Sequence, residues 1–402
     1  MPKNNINQGN KPSGKQSYYG TDLISSEYDV MMEFDKLLNI SGILNQNDVE
    51  FMTYGYKEKN NHVIELSLLG KKLSSLPENI GALKELKDLN LKIHQLSSLP
   101  DSFGELRKLE NLDIAFNEFT TLPEIICSLK NLRMLNLNNN YLSSLPDSFD
   151  KIKGLVSLSL NENKFDSLPN CIYNLKYLQY LSIGKVGLKS LSEKIGNLSN
   201  LQILVLNDNE LTSIPESIGN LSNLENFFLN NNKITCLPET IGNLTSLKIF
   251  SIENNELSSL PESICNLKKL ERLSIDDNKL TSLPENIGNL KNLKELSVKN
   301  NEITSLPDSI GNLKNLEKLL LNGNTITYIP NSFCNLKSLK LLHLGSSYYA
   351  SLPKNIYKLK NLEKFSMSFK DYDTFSEEIE NLITKLREAK EKANAKKDDF
   401  DY

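Results

Sequence analysis

The side chains best suited to chemistry are few and scattered in this sequence. The three histidines, His62, His94 and His343, lie far apart, and no His-Glu-x-x-His pair occurs. Neither a phosphate-cradling Gly-x-x-x-x-Gly-Lys-Ser/Thr loop nor a Gly-x-Ser-x-Gly nucleophile turn is present. Cysteine stands at five positions, Cys127, Cys171, Cys236, Cys265 and Cys334. An odd count without Cys-x-x-Cys argues for reduced thiols and an intracellular, cytoplasmic location. Glu253, Asp276 and Asp277 could offer hard oxygen ligands to calcium, but such rows are more often solvated surface. Arg272, Glu295 and Lys318 alternate in sign, a pattern that cross-strand pairing accounts for. Asn197, Asn220 and Asn243 fit the glycosylation pattern only as ordinary repeat positions. No catalytic residue, metal or cofactor is assigned, and the chain is expected not to be an enzyme.

What must position any site is a repeat. Pro77, Pro100, Pro123, Pro146 and Pro169 stand 23 residues apart, Ser192 takes the next place, and Pro215 to Pro353 continue the series without a slip. A fixed period of this length means stacked, nearly identical units. In one unit, Leu204 and Leu206 alternate as a short strand with one buried face, and Ile218, Leu221 and Leu224 follow a helical or 3₁₀ spacing on the return side. Asn209 belongs to a column of asparagines at the turn between them, from Asn117 to Asn324, whose side chains both donate and accept and so can satisfy buried backbone groups as a ladder. Lys71, His94, Val186 and Ser347 interrupt that column. Val186 shares its unit with Ser192, so one internal unit is expected to be locally irregular.

The repeat Leu-x-Leu-x-x-Asn-x-Leu-x-x-Leu-Pro-x-x-Ile-Gly-Asn-Leu, as in Ser213–Leu224 and Ser282–Leu296, resembles the 23-residue class of leucine-rich-repeat proteins, including intracellular Ras-group and prokaryotic members. The resemblance runs over about residues 63 to 382. It implies an α/β solenoid, a right-handed arc with a concave parallel β-sheet, a helical or 3₁₀ convex side and helical caps at both ends. It also implies a binding scaffold, with signalling around a small GTPase or its regulator as one expectation.

The ends are read separately. Residues 1–20 are polar and expected to be a disordered leader, with Tyr18 and Tyr19 as the alternative of a short recruitment motif. Residues 21–62 are expected to be an N-terminal cap and linker, with a helix over 22–39 that covers the first strand. The solenoid spans 63–376, thirteen regular units and a degenerate last one with strand positions Phe365 and Met367, all strands parallel. Residues 377–402 are expected to be a capping helix, to Lys392, and a charged tail. The net charge of −4 leaves no basic footprint for nucleic acid, and no apolar run is long enough to span a bilayer.

Function in such a stack belongs to strand positions that the repeat leaves free. The central outward column is mostly small and polar, for example Ser159, Ser182, Ser251, Ser274 and Ser297, but Val205 and Phe228 break it side by side. With Tyr180, Ile203 and Ile249 from the neighbouring column they are expected to form one exposed apolar patch, rimmed by Glu253, Arg272, Asp276 and Asp277. The sequence therefore reads as a non-catalytic protein-interaction scaffold, inside the cell and binding through its concave face. The alternative is a secreted or surface adhesion or effector repeat protein.

Overall fold

The computed structural model describes residues 14–46, 54–345, 352–353, 355–367 and position 384. The chain divides into two compact units, Met1–Phe165 with Pro169–Leu178, and Asp166–Leu168 with Gln179–Tyr402.

In the first unit a hairpin of β1 (Lys15–Tyr18) and β2 (Thr21–Ile24) leads into α1 (Ser25–Leu38). Strands β3 (Tyr54–Lys59) and β4 (His62–Leu68) pair antiparallel. From β4 onward the pairing is parallel through β5 (Asp88–Asn90), β6 (Asn111–Asp113), β7 (Met134–Asn136) and β8 (Ser157–Ser159). In the second unit parallel pairing runs through β9 (Tyr180–Ser182), β10 (Ile203–Val205), β11 (Asn226–Phe228), β12 (Ile249–Ser251), β13 (Arg272–Ser274), β14 (Glu295–Ser297), β15 (Lys318–Leu320), β16 (Leu341–Gly345) and β17 (Lys364–Met367). Partners such as Leu204 and Phe227 are one period apart.

The return side of each repeat is a 3₁₀ turn, such as Glu216–Asn220 after Pro215. The proline sits just before the turn, where it needs no donor, and its carbonyl accepts from Ile218 N at 3.1 Å. Leu204, Leu206, Leu211, Ile218, Leu221 and Leu224 are all fully buried. At about 25 cal/mol per Å² of apolar surface, this burial is the main favourable term. The turns stack closely: a Cβ added to Gly288 would lie 2.0 Å from the carbonyl oxygen of Ser309.

The asparagine column is the internal frame of the stack. Asn232 accepts from Leu211 N at 3.1 Å and donates to the carbonyls of Leu206 (3.0 Å), Leu229 (3.0 Å) and Asn230 (3.3 Å). The other members repeat this arrangement, and all nine are 4–8% exposed. Two interruptions prove to be accommodated. His94 is 6% exposed and its Nδ1 accepts from Leu73 N at 3.1 Å, the bond an asparagine oxygen makes elsewhere. At Val186, Asn209 of the next repeat accepts from the amides of Val186, Gly187 and Leu188. Ser192 adopts φ −71° and ψ 147°, close to the proline geometry, and its hydroxyl caps Lys194 N. That repeat, expected to be irregular, keeps strand, turn and its register with β10; Ser192 keeps the proline's backbone geometry, and Asn209 takes up the Val186 and Gly187 amides beside its ordinary bonds.

The N-terminal end differs from expectation in three ways. Residues 15–20 belong to the hairpin rather than to a disordered leader, because Tyr18 is 1% exposed and its hydroxyl donates to Asp35 at 2.6 Å and accepts from Ile43 N at 2.9 Å. That burial also removes Tyr18 from any recruitment motif. The helix begins at Ser25, not at residue 22, since residues 22–24 are spent on β2. The expected linker supplies β3, so not all pairing is parallel: the first repeat strand is covered by an antiparallel neighbour. Glu27 of α1 ties the cap down, accepting from Val63 N at 2.8 Å and pairing with His62 Nδ1 at 2.9 Å. At the other end β17 occupies the expected strand positions of the degenerate unit. Of the expected capping helix over 377–392 only position 384 is described, and it is helical; the tail lies outside the described residues.

Two outcomes check this frame. Asn232→Ala leaves the Leu211 amide without its acceptor in the core and removes one of two donors from each of the Leu206, Leu229 and Asn230 carbonyls. It should cost roughly 2–4 kcal/mol in chemical denaturation, where an exposed asparagine such as Asn223 should cost far less. Burial pulls the His94 pKa down to about 4 from its ordinary 6.5. The unfolded chain therefore binds more protons between these values, and stability should fall as pH drops from about 6.5 to 4, by at most about 3 kcal/mol. His94→Asn should flatten that part of the stability–pH profile while keeping the fold.

Candidate functional site

The outward side chains of β9 to β12 stand in the columns expected from the sequence. Ile203 pairs with Tyr180 on one side and Asn226 on the other, and Asn226 pairs with Ile249. Val205 pairs with Phe228 in the adjoining column. The five apolar residues thus share one face of four neighbouring strands, with Asn226 set among them. They are half-buried rather than exposed, because strands about 4.8 Å apart leave large neighbouring side chains in mutual contact. Behind the patch, Phe227 and Phe250 replace the usual leucine and stack at 5.5 Å in the core. That pair was legible in the sequence as a break in the leucine column, and it gives the patch a rigid backing.

The charged rim is mostly turned inward. Asp276 is 3% exposed; it accepts from Ser297 Oγ at 2.6 Å and Lys299 N at 2.8 Å, and pairs with Lys299 Nζ at 2.9 Å. This bond in turn raises the pKa of Lys299 above its ordinary value. Glu253 accepts from Ser274 Oγ at 2.6 Å. Asn230 takes the same role one repeat earlier, accepting from Ser251 Oγ and Glu253 N, both at 2.8 Å. Sequence reading missed this second ladder. The small outward serines are not idle surface: they are the hydroxyl donors that hold one repeat to the preceding one. Asp277 lies on the turn instead, in the left-handed region at φ 56°, and accepts from Asn300 Nδ2 at 2.8 Å. Asp276 and Asp277 are therefore adjacent in sequence but engaged in different ladders, which removes them as a joint rim. Among the described residues no group of three or more His, Cys, Asp or Glu is placed to hold a metal. Arg272 and Lys318 both pair with Glu295, at 3.3 and 3.4 Å, so this outer row satisfies itself.

The sheet face of the first unit has another chemistry. A shallow hollow of about 570 Å³ is lined by Asp88, Asn90, Asn111, Asp113, Met134 and Asn136 among others. Asn111 bonds Asp88, and Asn136 Nδ2 donates to Asp113 at 3.0 Å. Burial pushes the Asp88 carboxyl above its ordinary range, against the pull of the Asn111 bond. This polar face was not singled out from the sequence because its residues looked like ordinary small, polar repeat positions. Four of the five cysteines, Cys127, Cys171, Cys265 and Cys334, are buried, and burial pushes the Cys265 thiol up to about 11, which makes it a poor nucleophile; Cys236 is exposed.

The family pattern described as leucine-rich repeat region matches residues 227–301 and 296–400, and leucine-rich-repeat patterns also match 107–165, 130–185 and 200–221. Among solved structures, a leucine-rich-repeat protein of Leptospira interrogans is 35% identical, with 79% of this chain and 87% of that one covered and a TM-score of 0.67. An internalin of Listeria monocytogenes is 26% identical over 78% of this chain and 92% of that one, also at 0.67. The Arabidopsis receptor kinase HAESA, in complex with the peptide hormone IDA and the co-receptor SERK1, is 28% identical over 80% of this chain and 61% of its own, at 0.64. No curated protein matches the sequence. Among the described residues no helix is long and apolar enough to cross a membrane.

The inward rim yields a clear expectation. Asp276→Ala should strip Lys299 N and Ser297 of their acceptor and lower stability by roughly 1–3 kcal/mol in a denaturant titration. Arg272→Ala, at an exposed ion pair, should change it by less than about 1 kcal/mol.

Proposed function

The chain belongs to the leucine-rich-repeat family, and we propose on that footing that it is a non-catalytic protein-interaction scaffold binding its partner on the outer face of β9 to β12. The observation that carries this reading is the apolar group Tyr180, Ile203, Val205, Phe228 and Ile249, held in register by parallel strands and backed by the stacked Phe227 and Phe250. Neighbouring strands carry serines at equivalent places, Ser251, Ser274 and Ser297, which close a hydrogen-bond ladder. Val205 and Phe228 give up that bond, so the repeat pattern does not account for them. Rigid aromatic and branched side chains set in a polar surround are the usual centre of a protein contact. Glu253, Arg272, Asp276 and Asp277 contribute less than the sequence suggested, because their charges are largely engaged within the chain; Arg272 and Asp277 keep the greater exposure and are the rim residues a partner would meet.

The partner is a protein or peptide, a class supported by the likeness to HAESA in complex with a peptide hormone. A role in intracellular signalling or assembly, with a small GTPase or its regulator as the partner, extends the sequence resemblance. Five unpaired cysteines support a reducing, cytoplasmic location. Export as a secreted or surface repeat protein is the competing outcome, to be decided by whether protease added to intact cells cleaves the chain.

The decisive experiment pairs Ile203→Ser with Phe228→Ser. Neither side chain lies in the core, so the thermal transition should be retained within a few degrees. Capture of the partner by affinity pull-down from the source cell should fall about tenfold or more. Undiminished capture by the folded double variant removes the patch as the site.

A further inference from the structure

The chain leaves each strand through one residue in the left-handed region. In the second unit that column holds Lys185, Asp208, Asn231, Asn254, Asp277 and Asn300, with φ between 50° and 58°, and then Gly323. Asparagine and aspartate tolerate this conformation, and here they also bond one another, Asn231 to Asp208 at 2.7 Å and Asn254 to Asn231 at 2.9 Å. In the first unit the same column holds Ile93 at φ 64° and Phe116 at φ 56°. A β-branched residue there is a steric outlier, and a bulky one is disfavoured. Neither is compensated by burial, since Ile93 is 47% and Phe116 45% exposed. Both backbones are pinned, Ile93 N to Ala115 O at 3.0 Å and Phe116 N to Asn138 O at 2.9 Å. The chain therefore accepts strain and exposed apolar surface at two successive repeats, where polar residues would remove both.

Lysines stand over aromatic rings along this edge, with Glu118 an exposed carboxylate beside them. Lys92 Nζ lies 5.2 Å from the Phe116 ring centre, Lys71 Nζ 4.2 Å from that of Tyr54, and Lys164 Nζ 4.8 Å from that of Tyr141. Lys71, Lys72 and Lys92 have no carboxylate partner among the described residues. In the second unit the column of Lys72 is instead neutralised by Glu210–Lys233 at 3.2 Å and Glu256–Lys279 at 2.9 Å. Lysines held over aromatic rings and left without counter-charges present cation and apolar surface together.

We propose that this edge of the first unit docks an acidic protein segment bearing apolar side chains, with Ile93 and Phe116 receiving the apolar groups and Lys71, Lys72 and Lys92 the carboxylates. Charge complementarity selects the acidic partner. A protein segment fits better than an anionic bilayer, because Glu118 is exposed on the same edge and a short segment can set its carboxylates against the lysines alone, which a uniformly anionic surface cannot. The surface shares no residue with the sheet-face patch, so it stands or falls independently.

The test measures binding of a short fluorescein-labelled peptide of alternating glutamate and leucine to the full chain by anisotropy. The expected result is binding that weakens with added salt and is lost with the glutamine–leucine peptide. Ile93→Asn with Phe116→Asn should reduce affinity at least tenfold while keeping or raising the thermal transition, because asparagine relieves the backbone. Lys71→Glu with Lys92→Glu should abolish binding with the fold intact. The Ile203→Ser, Phe228→Ser variant should bind the peptide as the parent does. Equal affinity of the asparagine variant, equal affinity for the glutamine–leucine peptide, or absence of peptide binding alongside binding to phosphatidylserine vesicles each overturns the proposal.

Discussion

Each strand of the repeat is short, and each ends in a turn that leaves backbone N–H and C=O groups pointing into the core. Unpaired, those groups would cost more than the surrounding leucines could readily offset. One asparagine per repeat meets four of them, accepting from the previous repeat and donating to carbonyls of both. Everything else follows from that constraint. The stack can grow only in register, because each asparagine must find an amide two residues short of one period away. The strands stay parallel because their turns all lie on one side. The outward side chains then fall into straight columns, the geometry from which any surface of this protein is built.

The second ladder shows how narrow the line between scaffold and site is. Asn230, Glu253 and Asp276 differ in charge but take the same structural place, each accepting from the next repeat's backbone or serine. A carboxylate in this column is therefore a substitute for asparagine before it is a recognition element. Residues that leave the ladders are the ones free to act. Val205 and Phe228 do so on the sheet, and Ile93 and Phe116 do so at the turn. In each case an apolar residue stands where the neighbouring repeats use a hydrogen-bonding one, so the repeat gains nothing from it. A protein built of near-identical units records its specific function in such local departures.

The N-terminal cap obeys the same rule by other means. The first repeat has no preceding asparagine to serve, and its strand would present a bare edge. An antiparallel strand covers it, and Tyr18, Glu27 and Asp35 supply the buried polar contacts. His94 marks the transition: it performs the accepting half of the asparagine's work with a ring nitrogen, and so ties this end of the stack to pH.

By itself the sequence determined the period, the parallel repeat strands, the buried leucine and asparagine columns and the columns in which Tyr180, Ile203, Val205, Phe228 and Ile249 stand. A 23-residue repeat leaves one way to stack, and alternation along a strand assigns each residue to a face. The hairpin of residues 15–24 and the strand of 54–59 were not legible, because they occur once and carry no periodic signal. Nor could sequence tell that Asp276 is buried while Asp277 is exposed, that serines facing outward are bonded, or that Ile93 and Phe116 are forced through the left-handed region. Those outcomes depend on which neighbouring repeat supplies a donor or an acceptor at a given point, and only the stacked chain brings the two together.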